Sequence, residues 1–368
     1  MTVLGNARLV LPDGVRRGGL RVEDGLIAAL TDETPDIDLG GRYVVPGFVD
    51  LHVHGGAGAS YQSADPAEAR RAAEFHLAHG TTTTMASLVT GDPAELRAAV
   101  AVLAGLGDVI AGIHLEGPFL APSRCGAHDP ALLRAPDPAE FGDLLARARG
   151  RLRMITVAPE LPGALELIAE AAAAGVVAAV GHTDAPAAVT RSAFDAGARV
   201  ATHLFNGMRP LHHREGGPVT AALTDPRVTV ELINDGVHLA AETVHLAFQA
   251  AGADRVALVT DAMAAAGMGD GDYRLGVLEV QVRGGRATLA GGTSIAGSTI
   301  TMADAFRRAV RDVGVPIEQA ARAAALTPAR VLGLAGRTGS LEEGKAADLV
   351  VLEEDLAVAR VMKNGHWR

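Results

Sequence analysis

Cysteine is almost absent from this 368-residue chain: Cys125 stands alone, no internal disulfide can form, and a reducing compartment is the expected setting. Lysine is nearly as scarce, since Lys345 and Lys363 are the only two and arginine supplies the other basic side chains. Nor is there an excess of basic charge, because 33 Lys+Arg against 43 Asp+Glu leave a formal net charge of −10. That balance argues against a general nucleic-acid binder, which needs a basic face to neutralise phosphates. No uncharged apolar run approaches the roughly 18 residues of a spanning helix. The opening residues lack the basic n-region and apolar stretch of a secretory signal, so a cytoplasmic location without membrane partners is expected. What is present, 48% hydrophobic and 21% charged residues, excludes a disordered chain, and the length allows two or three average domains or one large barrel.

Residues 1–45 alternate apolar and polar positions in short bursts separated by turn signals such as Pro12-Asp13-Gly14, as short antiparallel strands do. Residues 336–368 resume that style, which predicts one small β-sandwich-like domain built from both termini. Residues 46–335 have another rhythm. Eight short apolar runs (Phe48–Val53, Thr82–Leu88, Val109–Leu115, Arg153–Val157, Val176–Val180, Val200–Leu204, Thr229–Ile233 and Arg255–Val259) alternate with stretches of helical period such as Pro66–His79 and Pro93–Leu106. Eightfold strand-helix alternation predicts an α/β chain whose middle is a (β/α)8 TIM barrel.

In such a barrel the chemistry sits at the C-terminal ends of the strands. The first run ends in His52 and His54, whose i, i+2 spacing puts both imidazoles on one face of a strand. The third ends in His114 and Glu116, the fifth in His182 and Asp184, the sixth carries His203 and Asn206, the seventh leads to Asp235 and His238, and the eighth ends in Asp261. Any one of these, taken alone, reads as an ordinary hydrogen-bonded residue. Their common placement does not, and imidazole plus carboxylate without thiolate is the donor set for zinc or iron(II) in a hydrolytic site. Asp261 reads as both ligand and base beside an activated water.

The HxH on strand one, single histidines on strands five and six, and aspartate on strand eight together resemble the amidohydrolase superfamily, as does the closing pattern Gly339 to Val350. Many members bridge two metals with a carboxylated lysine. Neither Lys345 nor Lys363 falls in the barrel, so Glu116 is the natural replacement. The longer motifs Pro46 to Gly55, His114 to Phe119, Thr202 to Met208, Asp235 to His238, Val259 to Ala262 and Ala296 to Met302 resemble the N-acetylglucosamine-6-phosphate deacetylase family over essentially the whole chain.

That resemblance implies removal of an acetyl group from the 2-acetamido nitrogen of a hexosamine 6-phosphate. It implies a divalent metal, zinc or iron, held by Glu116, His182 and His203. A second ion would use His52 and His54, with Asp261 as ligand and catalytic acid/base. It assigns His128 to the substrate acetamide and the Ala127 backbone to the sugar. The phosphate would meet His238, Asn206, Gly207 and Arg214, the last reaching across a homodimer. An alternative is the N-acetylgalactosamine 6-phosphate epimer or another acyl-amino sugar. An adenine-deaminase-like aminohydrolase would leave His238 and Arg214 without an anion, and a catalytically dead binding protein would be expected to have lost Asp261 or a ligand. His76 and His79 read as structural, His114 as a neighbour of the ligands, and Gly291–Ser298 as a loop covering substrate after strand eight, since it lacks the Gly-Lys-Ser/Thr ending of a P-loop.

Overall fold

Runs of Val, Leu, Ile and Ala buried on both faces fit only a sheet covered by helices. The computed structural model, which describes residues 1–368, pairs eight such runs in parallel and in chain order. The barrel strands are Phe48–Asp50, Thr81–Val89, Ile110–Glu116, Leu152–Val157, Val177–Val180, Val200–Ala201, Thr229–Ile233 and Val256–Val259. Helices fill the intervals, among them Pro66–Ala78, Pro93–Leu103 and Pro138–Arg147. These three share one start signal. Asp65, Asp92 and Asp137 each accept the backbone N–H two residues on, and each precedes a proline at the first helical position. Such a cap satisfies a donor that would otherwise be orphaned, and is worth about 1 kcal/mol.

The barrel interior is divided by polarity. Val49, Leu51, Met85, Met154, Ile233 and Val259 pack its lower half against Ala329 and Leu332, while the strand ends above them carry polar groups. First and eighth strands meet only at that upper end, where the Asp261 N–H donates to the His52 carbonyl and the His54 N–H to the Ala262 carbonyl, both at 2.8 Å. The seam that closes the barrel therefore runs through three of the candidate ligands.

Both chain ends share a second, mixed sheet. Tyr43–Pro46 pairs antiparallel with Leu349–Leu352, joining the N-terminal strands to Val358–Lys363 and His366–Trp367 around a small core that includes Leu4, Leu20, Ile27 and Leu349. Both lysines lie beside this sheet, Lys363 on Asp348 at 3.1 Å and Lys345 on Glu342 at 2.6 Å, so neither enters the barrel. No helix is long and apolar enough to cross a membrane.

Three details differ from the sequence reading, the first being that run one is a regular strand only over Phe48–Asp50, with His52 and His54 beyond its end. The sixth run stops being a strand after Ala201, because the backbone turns left-handed at His203 (φ 27°) and Phe205 (φ 79°) to aim the histidine inward. After strand eight comes not just a loop but a three-stranded antiparallel sheet, Gly271–Leu275, Leu278–Arg283 and Arg286–Leu289.

Candidate active site

Glu116, at the end of the third barrel strand, is almost fully buried and lies among five imidazoles, those of His52, His54, His128, His182 and His203. Its Oε1 is 2.9 Å from His203 Nε2, 3.1 Å from His182 Nε2 and 3.4 Å from His52 Nε2, while Oε2 is 3.2 Å from His54 Nε2. Asp261 Oδ1 closes the other side, 3.1 Å from His54 Nε2 and 3.5 Å from His52 Nε2. Two triads result, His52/His54/Asp261 and Glu116/His182/His203, each with its donor atoms within 4.8 Å of one another. All six sequence-predicted ligands thus converge, with Glu116 between the triads.

The local backbone is bent to achieve this. His182 (φ 46°), His203 (φ 27°) and Asp261 (φ 49°) all adopt the left-handed region that side chains other than glycine avoid, a strain that collects at functional sites. Gly126 and Gly207 sandwich the His182 ring: a Cβ on Gly207 would come within 2.9 Å of Nδ1, and both glycines have φ of 58°. Only glycine fits at such a close approach.

The electrostatics call for positive charge. Burial alone would push the Glu116 carboxyl up, but the His52 charge and the hydrogen-bonding contacts with His128, His182 and His203 hold it well below the usual carboxylate range. Burial is likewise outweighed at Asp261, brought down to about 2 by His52 and His54, and at His54, lifted to about 9 by Asp261 and Glu116. Pairs of imidazole nitrogens face one another, His182 Nε2 to His203 Nε2 at 3.0 Å and His52 Nε2 to His54 Nε2 at 3.1 Å. Facing lone pairs beside carboxylates require a proton or a cation between them, and nitrogen and oxygen donors without thiolate fit a divalent metal.

His128 stands apart from the ligands. Its Nδ1 accepts the Thr90 backbone N–H at 3.2 Å, so the ring proton sits on Nε2, which faces the cluster 3.5 Å from Glu116. Burial first, then the neighbouring His182, lower its basicity to about 4, which keeps the ring neutral and a hydrogen-bond donor.

Above the cluster opens a cavity of about 340 Å³. Ala127, His128, Asn206, Gly207 and His238 line it. His238 is oriented by donating from Nδ1 to Asp235 at 2.7 Å. Arg214 does not line the cavity of its own chain; it is exposed, 2.7 Å from His213 Nε2. Thr293, Ser294, Ile295 and Gly297 bring the predicted covering loop into the wall. Sequence reasoning missed Leu275 and Arg286, which the three-stranded sheet adds to the same wall. It also missed Glu231, fully buried on strand seven with Oε2 3.3 Å from His52 Nδ1. A lone acid inside the run Thr229–Ile233 was the available signal.

Residues 43–368 match the model of the amidohydrolase family. The N-acetylgalactosamine-6-phosphate deacetylase of Escherichia coli O157:H7 is 39% identical over 94% of this chain and 93% of its own length. The N-acetylglucosamine-6-phosphate deacetylase of Vibrio furnissii is 36% identical over 93% and 88%. The chain belongs to the amidohydrolase family, on its N-acetylglucosamine-6-phosphate deacetylase branch. Among solved structures, this amidohydrolase superposes on a mutant N-acetyl-D-glucosamine-6-phosphate deacetylase of Mycobacterium smegmatis in complex with N-acetyl-D-glucosamine-6-phosphate. The TM-score is 0.95 and the identity 48%, covering 100% of this chain and 98% of the other.

Proposed function

We propose that the protein hydrolyses the acetamide of N-acetyl-D-glucosamine 6-phosphate, giving D-glucosamine 6-phosphate and acetate. The carrying observation is the convergence of two donor triads on Glu116 beneath a cavity whose wall holds a neutral His128 donor. The 48% identical enzyme described with that sugar phosphate supports the same substrate.

Glu116, His182 and His203 would hold one divalent ion, zinc or iron(II), and His52, His54 and Asp261 a second, with Glu116 between them. When bound, such an ion supplies an acidified water and a Lewis-acid contact for the amide carbonyl. The chain's own groups do the rest. Asp261 takes the proton of the attacking water and passes it to the departing nitrogen, which is otherwise a poor leaving group. His128 Nε2–H donates to the carbonyl oxygen as negative charge develops there. The N–H groups of Asn206 and Gly207 and the His238 ring receive the phosphate, and the partner's Arg214 completes the cradle across a homodimer, its forked guanidinium matching phosphate geometry.

The galacto epimer is a second reading, favoured by the 39% identity to the N-acetylgalactosamine-6-phosphate enzyme of Escherichia coli O157:H7. Metal dependence is tested by stripping the protein with a chelator: acetate release from the sugar phosphate should vanish and return with Zn²⁺ or Fe²⁺. Full activity in the stripped protein contradicts the reading.

A further inference from the structure

We infer that Glu231 is the positioning residue that makes His52 a metal ligand, and so sets each site to hold two ions instead of one. The inference rests on the metal-centre reading above. Glu231 is the only charged residue of the strand Thr229–Ile233 and has no exposed surface. A carboxylate placed there is costly unless it is paired. Its Oε2 is 3.3 Å from His52 Nδ1 and accepts the His203 backbone N–H at 3.2 Å, while Oε1 has no partner in the protein. The carboxylate is aimed at a ligand histidine.

The consequence concerns which nitrogen of His52 carries the proton. Around Nε2 lie His54 Nε2 at 3.1 Å, Glu116 Oε1 at 3.4 Å and Asp261 Oδ1 at 3.5 Å, three groups that would draw a proton onto that nitrogen and block it. Glu231 is the competing acceptor on the other side of the ring. By accepting a hydrogen bond from Nδ1–H it keeps the ring proton on that nitrogen, leaves the Nε2 lone pair free for a cation and makes the ring a stronger donor. The other ligand histidines are held differently. His54 Nδ1 and His182 Nδ1 donate to backbone carbonyls, those of Ser87 at 3.1 Å and Arg124 at 2.8 Å, and His203 Nδ1 has no partner. Only His52 has a carboxylate behind it. The His52/His54/Asp261 triad is therefore the one whose affinity depends on a charged outer partner.

The test is a titration of chelator-stripped, full-length protein with Zn²⁺ alone and, for ligand-field absorbance, Co²⁺ alone. Wild type should take up two ions per chain. Glu231→Leu should take up one, with unchanged affinity, and Glu231→Gln, which keeps an acceptor but no charge, should bind the second ion about 10- to 100-fold more weakly. His52→Ala combined with Glu231→Leu should lose no more than either change alone. Two ions of unaltered affinity in Glu231→Leu, loss of both ions, or a wild type that binds only one would each overturn the inference. If Glu231→Leu fails to fold, an unshifted second affinity in Glu231→Gln does so by itself. Because the readout is metal uptake, failure of the deacetylase reading shows separately, as two bound ions with no acetate released.

Discussion

His128 is held by Thr90, whose backbone N–H and hydroxyl both reach Nδ1; burial keeps the ring neutral, and Nε2–H is left to face the cluster. A donor placed where an oxyanion forms is worth about 10²–10³ in kcat, so His128→Ala should lower kcat by that factor while KM changes little. Steady-state kinetics on the metal-loaded variant would reveal a KM effect instead if His128 only bound substrate. At this scale the sequence was informative wherever a polar residue interrupted an apolar run near its end, as Glu116, His182 and Asp261 do. It said little about Glu231, which stands out only as a lone acid in an apolar run and whose role depends on a histidine 179 positions away, and it was silent on Arg286, whose strand carries no sign that it folds over the barrel mouth.

The helix Pro66–Ala78 shows how an element supports a site it does not enter. His76, fully buried on it, donates from Nε2 to the Gly55 carbonyl at 2.9 Å and so pins the turn that follows His54. Burial, its largest cause, lowers His76 to about 4, and the Gly55 bond only partly offsets that. The unfolded chain binds this proton below about 6.5 and the folded one does not. Its stabilising share is therefore complete above about 6.5 and is lost as pH falls toward about 4, on the order of 3 kcal/mol. His76→Gln should flatten the acid limb of a denaturation-versus-pH curve over that window, and an unchanged limb would remove His76 from the account. At the level of elements the eight strands were legible because each is a short apolar run, and three of the helices because Asp-Pro marks their starts. The three-stranded sheet was missed although Leu278–Arg283 alternates apolar and polar residues as a half-buried strand does; its neighbour Gly271–Leu275 is mostly polar and Arg286–Leu289 is only four residues long. The sixth strand was read too long because the left-handed backbone at His203 has no glycine to announce it.

For the whole molecule, the cavity of one chain has the imidazole of His238 and the guanidinium of Arg286 but not Arg214. The proposed completion by the partner's Arg214 in a twofold dimer makes a clear prediction. Arg214→Ala should raise KM for the phosphorylated sugar, and Asp261→Asn should bind it but turn over about 10²–10⁴-fold more slowly. Co-expressed, the two variants should regain about a quarter of wild-type activity at low substrate, because half of the dimers are mixed and each mixed dimer has one intact site. No recovery places Arg214 in its own chain's site or outside the phosphate site. The scarcity of lysine acquires its meaning here: with Lys363 on the terminal sheet and Lys345 beside it, no lysine reaches the centre, and Glu116 is the side chain that lies between the two triads. The central claim, hydrolysis of an N-acetyl hexosamine 6-phosphate at that centre, is tested most directly by measuring acetate and free amine. Metal-loaded protein is given the 6-phosphates of N-acetylglucosamine and N-acetylgalactosamine and the two unphosphorylated sugars. Equal yields of both products, fastest from N-acetylglucosamine 6-phosphate and slow from either unphosphorylated sugar, are predicted; no acetate from either 6-phosphate would contradict the account.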